Sequence, residues 1–231
     1  MFTYKKFDGI IYNGVVLQRN AIKEYSVNLE FMFDKITVKN GIEYGIVNGN
    51  DKLFFVKVGN GGGIYGYENK YLKISGLIHE KYGCSVLVSS NPLEISVKES
   101  VAFDFDFIEE NFPDASEVAA FGNSQGGKML VAYAYMCPKI KSVLAVNAPL
   151  MINLHKTKAG IKNFEGDMIH MIYGEKDPSY PYVEILRSSI SPKFSYSTVK
   201  NADHKFTNML EEFISLPERF LFDIQSGKRE E

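Results

Sequence analysis

Cysteine is scarce, with two in 231 residues. Cys84 begins an apolar, strand-like run and Cys137 closes a helix-like one, so both read as buried thiols, which excludes a disulfide framework. Neither lies in a turn beside a polar activating neighbour, which argues against a catalytic cysteine. Charge of one sign is missing too: 26 basic residues face 28 acidic ones, for a net −2. No field therefore favours nucleic acid or an anionic membrane over a neutral small molecule. No stretch approaches the ~20 apolar residues of a membrane span, and "MFTYKKFDGIIYNGVV" holds two lysines without an apolar run of signal-peptide length behind them. The expectation is a cytoplasmic protein with no membrane partner. The spacings H-E-x-x-H, paired C-x-x-C and the acidic calcium loop are absent, so neither a metal nor another cofactor is expected. Repeats, low-complexity tracts and linkers are absent as well. With 45% hydrophobic residues the chain can bury one large core, and a single domain over 1–231 is expected. Oligomeric state is not legible.

What is present is organised in two parts. Residues 1–50 are β-branched and aromatic runs broken by Asp8-Gly9, Asn13-Gly14, Asn40-Gly41 and Asn48-Gly49, the dipeptides of tight hairpins, and predict a small antiparallel meander leading into a sheet. From Leu53 onward strands and helices alternate. "LFFVKV" (53–58), "CSVLVSS" (84–90), "KSVLAVN" (141–147), "DMIHMIYG" (167–174) and "KFSYSTV" (193–199) read as strands. Between them lie helical patterns at about 67–83, 96–112, near "YVEILRSSI", and from about Thr207 to Ile224. Strands apolar along their whole length and alternating with helices predict an α/β fold with a mostly parallel sheet covered on both faces. Residues 148–166 read as an irregular connection, too short for a separate cap domain and at most a small lid.

The stretch "EVAAFGNSQGGKMLVAYAY" (117–135) stands at the centre. Val118 to Phe121 is a short strand, Gly122-Asn123-Ser124-Gln125-Gly126 a sharp turn, and a helical run starts at Gly127. A serine held in a strained conformation at such a turn brings the residues two positions either side into contact, where only glycine fits; this is the physical content of G-x-S-x-G. In a parallel sheet, ligands bind at the carboxyl ends of the strands. Three polar residues sit there: Ser124 after the strand ending at Phe121, Asp177 after "MIHMIYG", and His204 after "KFSYSTV".

The order Ser, Asp, His on successive strand ends, the glycine-flanked serine, and the loops "YGEKDP" and "NADHKF" resemble the α/β-hydrolase family over roughly residues 53–224. The resemblance implies Ser124 as nucleophile, His204 as the base that takes its proton, and Asp177 as the carboxylate that orients the imidazole. It also implies two backbone donors for an oxyanion. One is the amide of Gln125 at a helix N-terminus. The other comes from Asn60-Gly61-Gly62-Gly63, which resembles the H-G-G-G of esterases with Asn in place of His; Gly62 is the choice, with a one-residue shift open. The implied activity is cleavage of a carboxylic ester, or alternatively a thioester or amide, through an acyl-enzyme. The expected partner is a small acyl substrate in an accessible pocket that Tyr65, Tyr67 and Tyr180 could line.

Rival readings exist. Ser124 could simply cap a helix. Asp167 lies at the wrong end of its strand to replace Asp177, and Asp203 is too close to His204 to fold back on it. His79, His155 and His170 fall on a helix, in the irregular connection and inside a strand. Gly61-Gly62-Gly63-Ile64-Tyr65-Gly66 also matches the dinucleotide fingerprint G-x-G-x-x-G, but the next strand ends in Ser89-Ser90-Asn91, with no acid for a ribose hydroxyl. The fold could also serve as a ligand-binding module without catalysis.

Overall fold

The computed structural model describes residues 10–12, 15–17 and 31–223. Strands β1 (Ile10–Tyr12), β2 (Val15–Leu17), β3 (Lys35–Lys39), β4 (Ile42–Val47), β5 (Asn50–Lys57), β6 (Cys84–Ser89), β7 (Glu117–Asn123), β8 (Ile140–Val146), β9 (Met168–Gly174) and β10 (Phe194–Val199) form one sheet in the order β2-β1-β10-β9-β8-β7-β5-β6-β4-β3. The run from β10 to β6 is parallel throughout. The chain passes from β5 to β6 on one side and then returns to β7 on the other. The carboxyl ends of β5 and β7 are therefore where connections leave in opposite directions and open a crevice.

The apolar residues alternate between two cores. Leu53 and Phe55 of β5 face one side, while Phe54 and Val56 face the other, all essentially inaccessible. Burying each such side chain contributes roughly 1.5–3 kcal/mol. Helices α1 (Lys70–Tyr82) and α5 (Leu210–Pro217) cover one face; α2 (Val97–Asn111), α3 (Gln125–Tyr133) and α4 (Leu154–Asn163) cover the other. The start of α2 is fixed by a capping box, in which Ser96 accepts from the Glu99 amide and the Glu99 carboxylate accepts from the Ser96 amide. Tyr44 of β4 stacks on Phe107 of α2 with ring centroids 3.8 Å apart. One buried ion pair ties three elements together. Lys57 at the end of β5, 1% exposed, meets Asp104 of α2 at 2.8 Å and donates to the hydroxyls of Ser89 and Ser100 and the carbonyl of Ser90.

The opening segment forms the expected antiparallel strand pairs, β1–β2 and β3–β4, but at two edges of the sheet and not as one meander. Asn40 and Gly41, at φ 53° and 77°, do turn a hairpin between β3 and β4. That hairpin flanks β6, however, while β1 and β2 pair antiparallel beside β10 at the opposite edge. Asp8-Gly9 and Asn13-Gly14 lie outside the described residues. Asn48-Gly49 is no hairpin: β4 and β5 are separated by β6. The dipeptide carries the chain past the start of β6, where a Cβ on Gly49 would lie 2.4 Å from the Gly83 carbonyl oxygen. Residues 148–166 are also more regular than expected, since α4 occupies most of them and packs on α3. The last helix ends at Pro217 and continues as a short wider-wound turn over Glu218–Phe222. The segment Tyr180–Ser189 is a 3₁₀ helix.

Candidate active site

The turn after β7 is built by close contact. Ser124 has φ 52° and ψ −124°, a region that costs a non-glycine residue of order 1–3 kcal/mol. Its amide is held by the Val146 carbonyl at 2.8 Å. A Cβ on Gly122 would lie 2.6 Å from the Gly127 backbone, and one on Gly126 would lie 2.2 Å and 2.4 Å from the carbonyl oxygens of Lys57 and Val58. The flanking glycines are thus required because the turn, its helix and the end of β5 touch backbone to backbone. The first bond of α3 runs from the Lys128 amide to the Ser124 carbonyl at 3.1 Å. The amide of Gln125 precedes it and points off the helix N-terminus.

Three predicted side chains converge at this point. The Ser124 hydroxyl lies 3.0 Å from His204 Nε2, and His204 Nδ1 lies 2.5 Å from Asp177 Oδ2. An ionised carboxylate only accepts, so the Nδ1–H donates to Asp177 and leaves Nε2 as an acceptor for the serine hydroxyl. Asp177 is 3% exposed, and its other oxygen accepts from the Ser179 amide at 2.7 Å. Asp203 points elsewhere, accepting from the amides of Lys205 and Thr207. Those amide bonds hold its carboxyl below the usual carboxylate range. Asp167 sits before β9, at the opposite end of the sheet from Ser124.

Gly62 does not supply a free donor. Its amide donates to the Gly59 carbonyl at 2.9 Å, and the amide of Gly61 donates to Asn91 at 2.8 Å. The α-carbon of Gly59 backs onto Ser124, since a Cβ there would lie 3.3 Å from the serine Cβ. Asn60 follows, and its amide has no partner among the described residues. The same turn hydrogen bonds occupy the amides of Gly61 and Gly62 at the start of the Gly61–Gly66 run.

Asn147, overlooked in the sequence, links the loops carrying the acid and the base. It is fully buried at φ 49°, donates to the carbonyls of Asp203 and His204 at 3.1 Å each, and accepts from the Gly174 amide at 2.9 Å. It ends "KSVLAVN" at the strand rim, a position that could have flagged it. Behind the turn, Asn123 donates to the Tyr71 hydroxyl at 3.3 Å, and burial raises that phenol to about 12.

The remaining histidines lie apart. His79 donates from α1 to the Cys84 carbonyl, His155 rides on α4, and His170 is buried in β9. Tyr65 and Tyr67 are exposed, while Tyr180 packs against the core. Cys84 and Cys137 are free and buried. Among the described residues no three His, Cys, Asp or Glu side chains group to hold a metal, and no helix is long and apolar enough to cross a membrane.

No family pattern matches the sequence, and no curated protein matches it. Solved structures do. Est1E from Butyrivibrio proteoclasticus superposes with a TM-score of 0.68 at 12% identity, over 83% of this chain and 98% of its own. An alpha-beta serine hydrolase homologue from Coxiella burnetii gives 0.66 at 15% identity, over 82% and 98%. Alpha/beta hydrolase domain-containing protein 10 from mouse gives 0.61 at 13%, over 82% and 98%. At such identities the likeness is one of fold.

Proposed function

From a chain that has the α/β-hydrolase fold, we propose a serine hydrolase that cleaves a carboxylic ester through an acyl-enzyme. The observation that carries this reading is the continuous hydrogen-bonded line Ser124, His204, Asp177 at 3.0 Å and 2.5 Å, ending on a serine in a strained turn.

The chemistry follows from the positions. A serine hydroxyl is a weak nucleophile at neutral pH. Here its proton can pass to His204 Nε2 as Oγ bonds to the substrate carbonyl carbon. The carbonyl oxygen gains negative charge, and the amides of Gln125 and Asn60 are the donors that would receive it. Asp177 stabilises the imidazolium. Collapse returns the proton from Nε2 to the leaving alcohol and leaves an acyl-Ser124, which water cleaves by the same steps in reverse. The rim favours an uncharged substrate: Leu93, Tyr65, Tyr67, Met151, Ile152 and Tyr182 are exposed apolar or aromatic residues on the connections that leave the carboxyl ends of the strands. Est1E has been described with ferulic acid, an aromatic carboxylic acid, bound, which agrees with an ester of apolar character.

The test is a panel of activated esters of graded chain length, run beside an amide and a thioester. Ser124→Ala should abolish turnover with the fold intact by circular dichroism. Asp177→Asn should lose on the order of ten-thousandfold in kcat, as in the serine-protease template where the wrong tautomer is selected. Failure of Ser124 to react with a serine-directed phosphonate would turn the reading to a binding module.

A further inference from the structure

A cavity of about 240 Å³ lies between the first turn of α2, the stretch of α3 from Lys128 to its end at Tyr133, and the first turn of α4, and none of Ser124, Asp177 and His204 lines it. Three cations border it, Lys98, Lys128 and Lys156, and no carboxylate does. Lys128 is the unusual member. It is 5% exposed, and no acceptor among the described residues meets its ammonium. Burial, and then the charge of Lys156, pull its pKa down from the ordinary lysine value. The same protein shows how it treats a structural buried lysine: Lys57 is met by Asp104, two hydroxyls and a carbonyl. Lys128 has no such partners: its stem is buried between the helices while its ammonium opens into the cavity. The nearest acid in sequence, Glu99, turns back to cap Ser96 and does not line the space.

From this unpartnered ammonium, the two further lysines beside it and the absence of any acid in the lining, we infer that the cavity is a binding site for a phosphoryl group. The two helix starts add to it. The amides of Val97 and Lys98 precede the first bond of α2, from Ser100 to Ser96, and Asn153 opens α4, so both helices bring the positive ends of their dipoles to the rim. Several cations with helix-terminal amide donors suit a multiply charged tetrahedral oxyanion better than a single carboxylate. The volume falls below that of drug-sized pockets, roughly 300–1,000 Å³, and so suits inorganic phosphate or a small phosphate monoester. The site does not depend on the hydrolase reading. Lys128 contributes only its ammonium here, one helical turn beyond Ser124.

The experiment uses the full chain in phosphate-free buffer. Thermal unfolding is followed against inorganic phosphate, glycerol phosphate and acetate, with chloride holding ionic strength constant. Saturable stabilisation by phosphate is expected, about 3–5 °C in Tm at tenfold excess over Kd, with acetate inert. Lys128→Met should weaken phosphate binding at least tenfold and, without phosphate, match or exceed the wild-type Tm. Lys162→Met, on the exposed end of α4, should bind as wild type. On the wild-type protein, phosphate should slow acetylation of Lys128 as read by mass spectrometry. The relative affinities of phosphate and its ester identify the source of the group. Equal stabilisation of wild type and Lys128→Met, meaning an adventitious ion only, or no phosphate effect on either Tm or acetylation, overturns the proposal.

Discussion

Asn147 has no proton to trade and no charge, yet both loops of the candidate triad hang on its side-chain amide. Its two halves make opposite demands, because the nitrogen must donate to carbonyls at 203 and 204 while the oxygen must accept from the amide of Gly174. Asn147→Ala removes all three bonds, each worth roughly 0.5–1.5 kcal/mol, and should lower kcat on an activated ester by about ten- to hundredfold with little change in KM. Asn147→Asp keeps the acceptor but sets a carboxylate oxygen against two carbonyl oxygens, so it should be the worse of the two despite its matching shape. An Asp variant as active as wild type would show that the amide does not position His204. Ser124, Asp177 and His204 were legible because chemistry-bearing side chains stand out at strand ends. Asn147 stands at such an end as well, but a search for titratable groups passes over it. The second amide donor is not legible for a different reason: whether the Gly62 or the Asn60 amide is free depends on where a turn closes its own hydrogen bonds, and glycine spacing does not encode that.

Contacts between backbones set a similar limit on reading elements. The parallel strands were plain because each is an unbroken apolar run, and α2 because Ser96 and Glu99 spell its cap. The sequence 154–163, LHKTKAGIKN, offers only Leu154 and Ile161 as an apolar stripe, both partly buried, and α4 buries only Thr157 and Gly160 fully. It packs by approach: a Cβ on Gly160 would lie 2.0 Å from the Val131 carbonyl of α3. The turn after β7 is made the same way, which gives a paired test. Gly126→Ala drives a methyl into two carbonyl oxygens of β5 and its exit, atoms that cannot step aside. It should cost about 3 kcal/mol or more in urea unfolding. Gly63→Ala meets nothing within 4 Å and should stay within about 0.5 kcal/mol of wild type.

Taken together, the sheet also stores a response to acid. His170 of β9 lies between the hydroxyls of Ser195 and Ser197 on β10, at 2.7 Å and 2.8 Å, and stacks on Phe220. Burial pushes its pKa down to about 3. Below about pH 6.5 the unfolded chain takes up a proton that the folded chain refuses until about pH 3, so stability falls as pH drops through that window and is unaffected above it. This group alone should remove about 2 kcal/mol between pH 7.5 and pH 5. Denaturant midpoints at the two pH values measure it. His170→Gln, which keeps hydrogen-bonding capacity without a titrating ring, should flatten that part of the slope; an unchanged slope would assign the acid response to other groups.

The seat of Gly126 on the carbonyls of Lys57 and Val58 makes one rigid body of the serine turn and the exit of β5, while Leu93, the pair Met151 and Ile152, and Tyr182 are exposed on three other connections. For laboratory evolution this divides the molecule into an immutable chassis and an interchangeable mouth. Libraries randomised at these four exposed positions should yield altered selectivity at undiminished expression, whereas diversity introduced at the seat should be purged before any selectivity is seen.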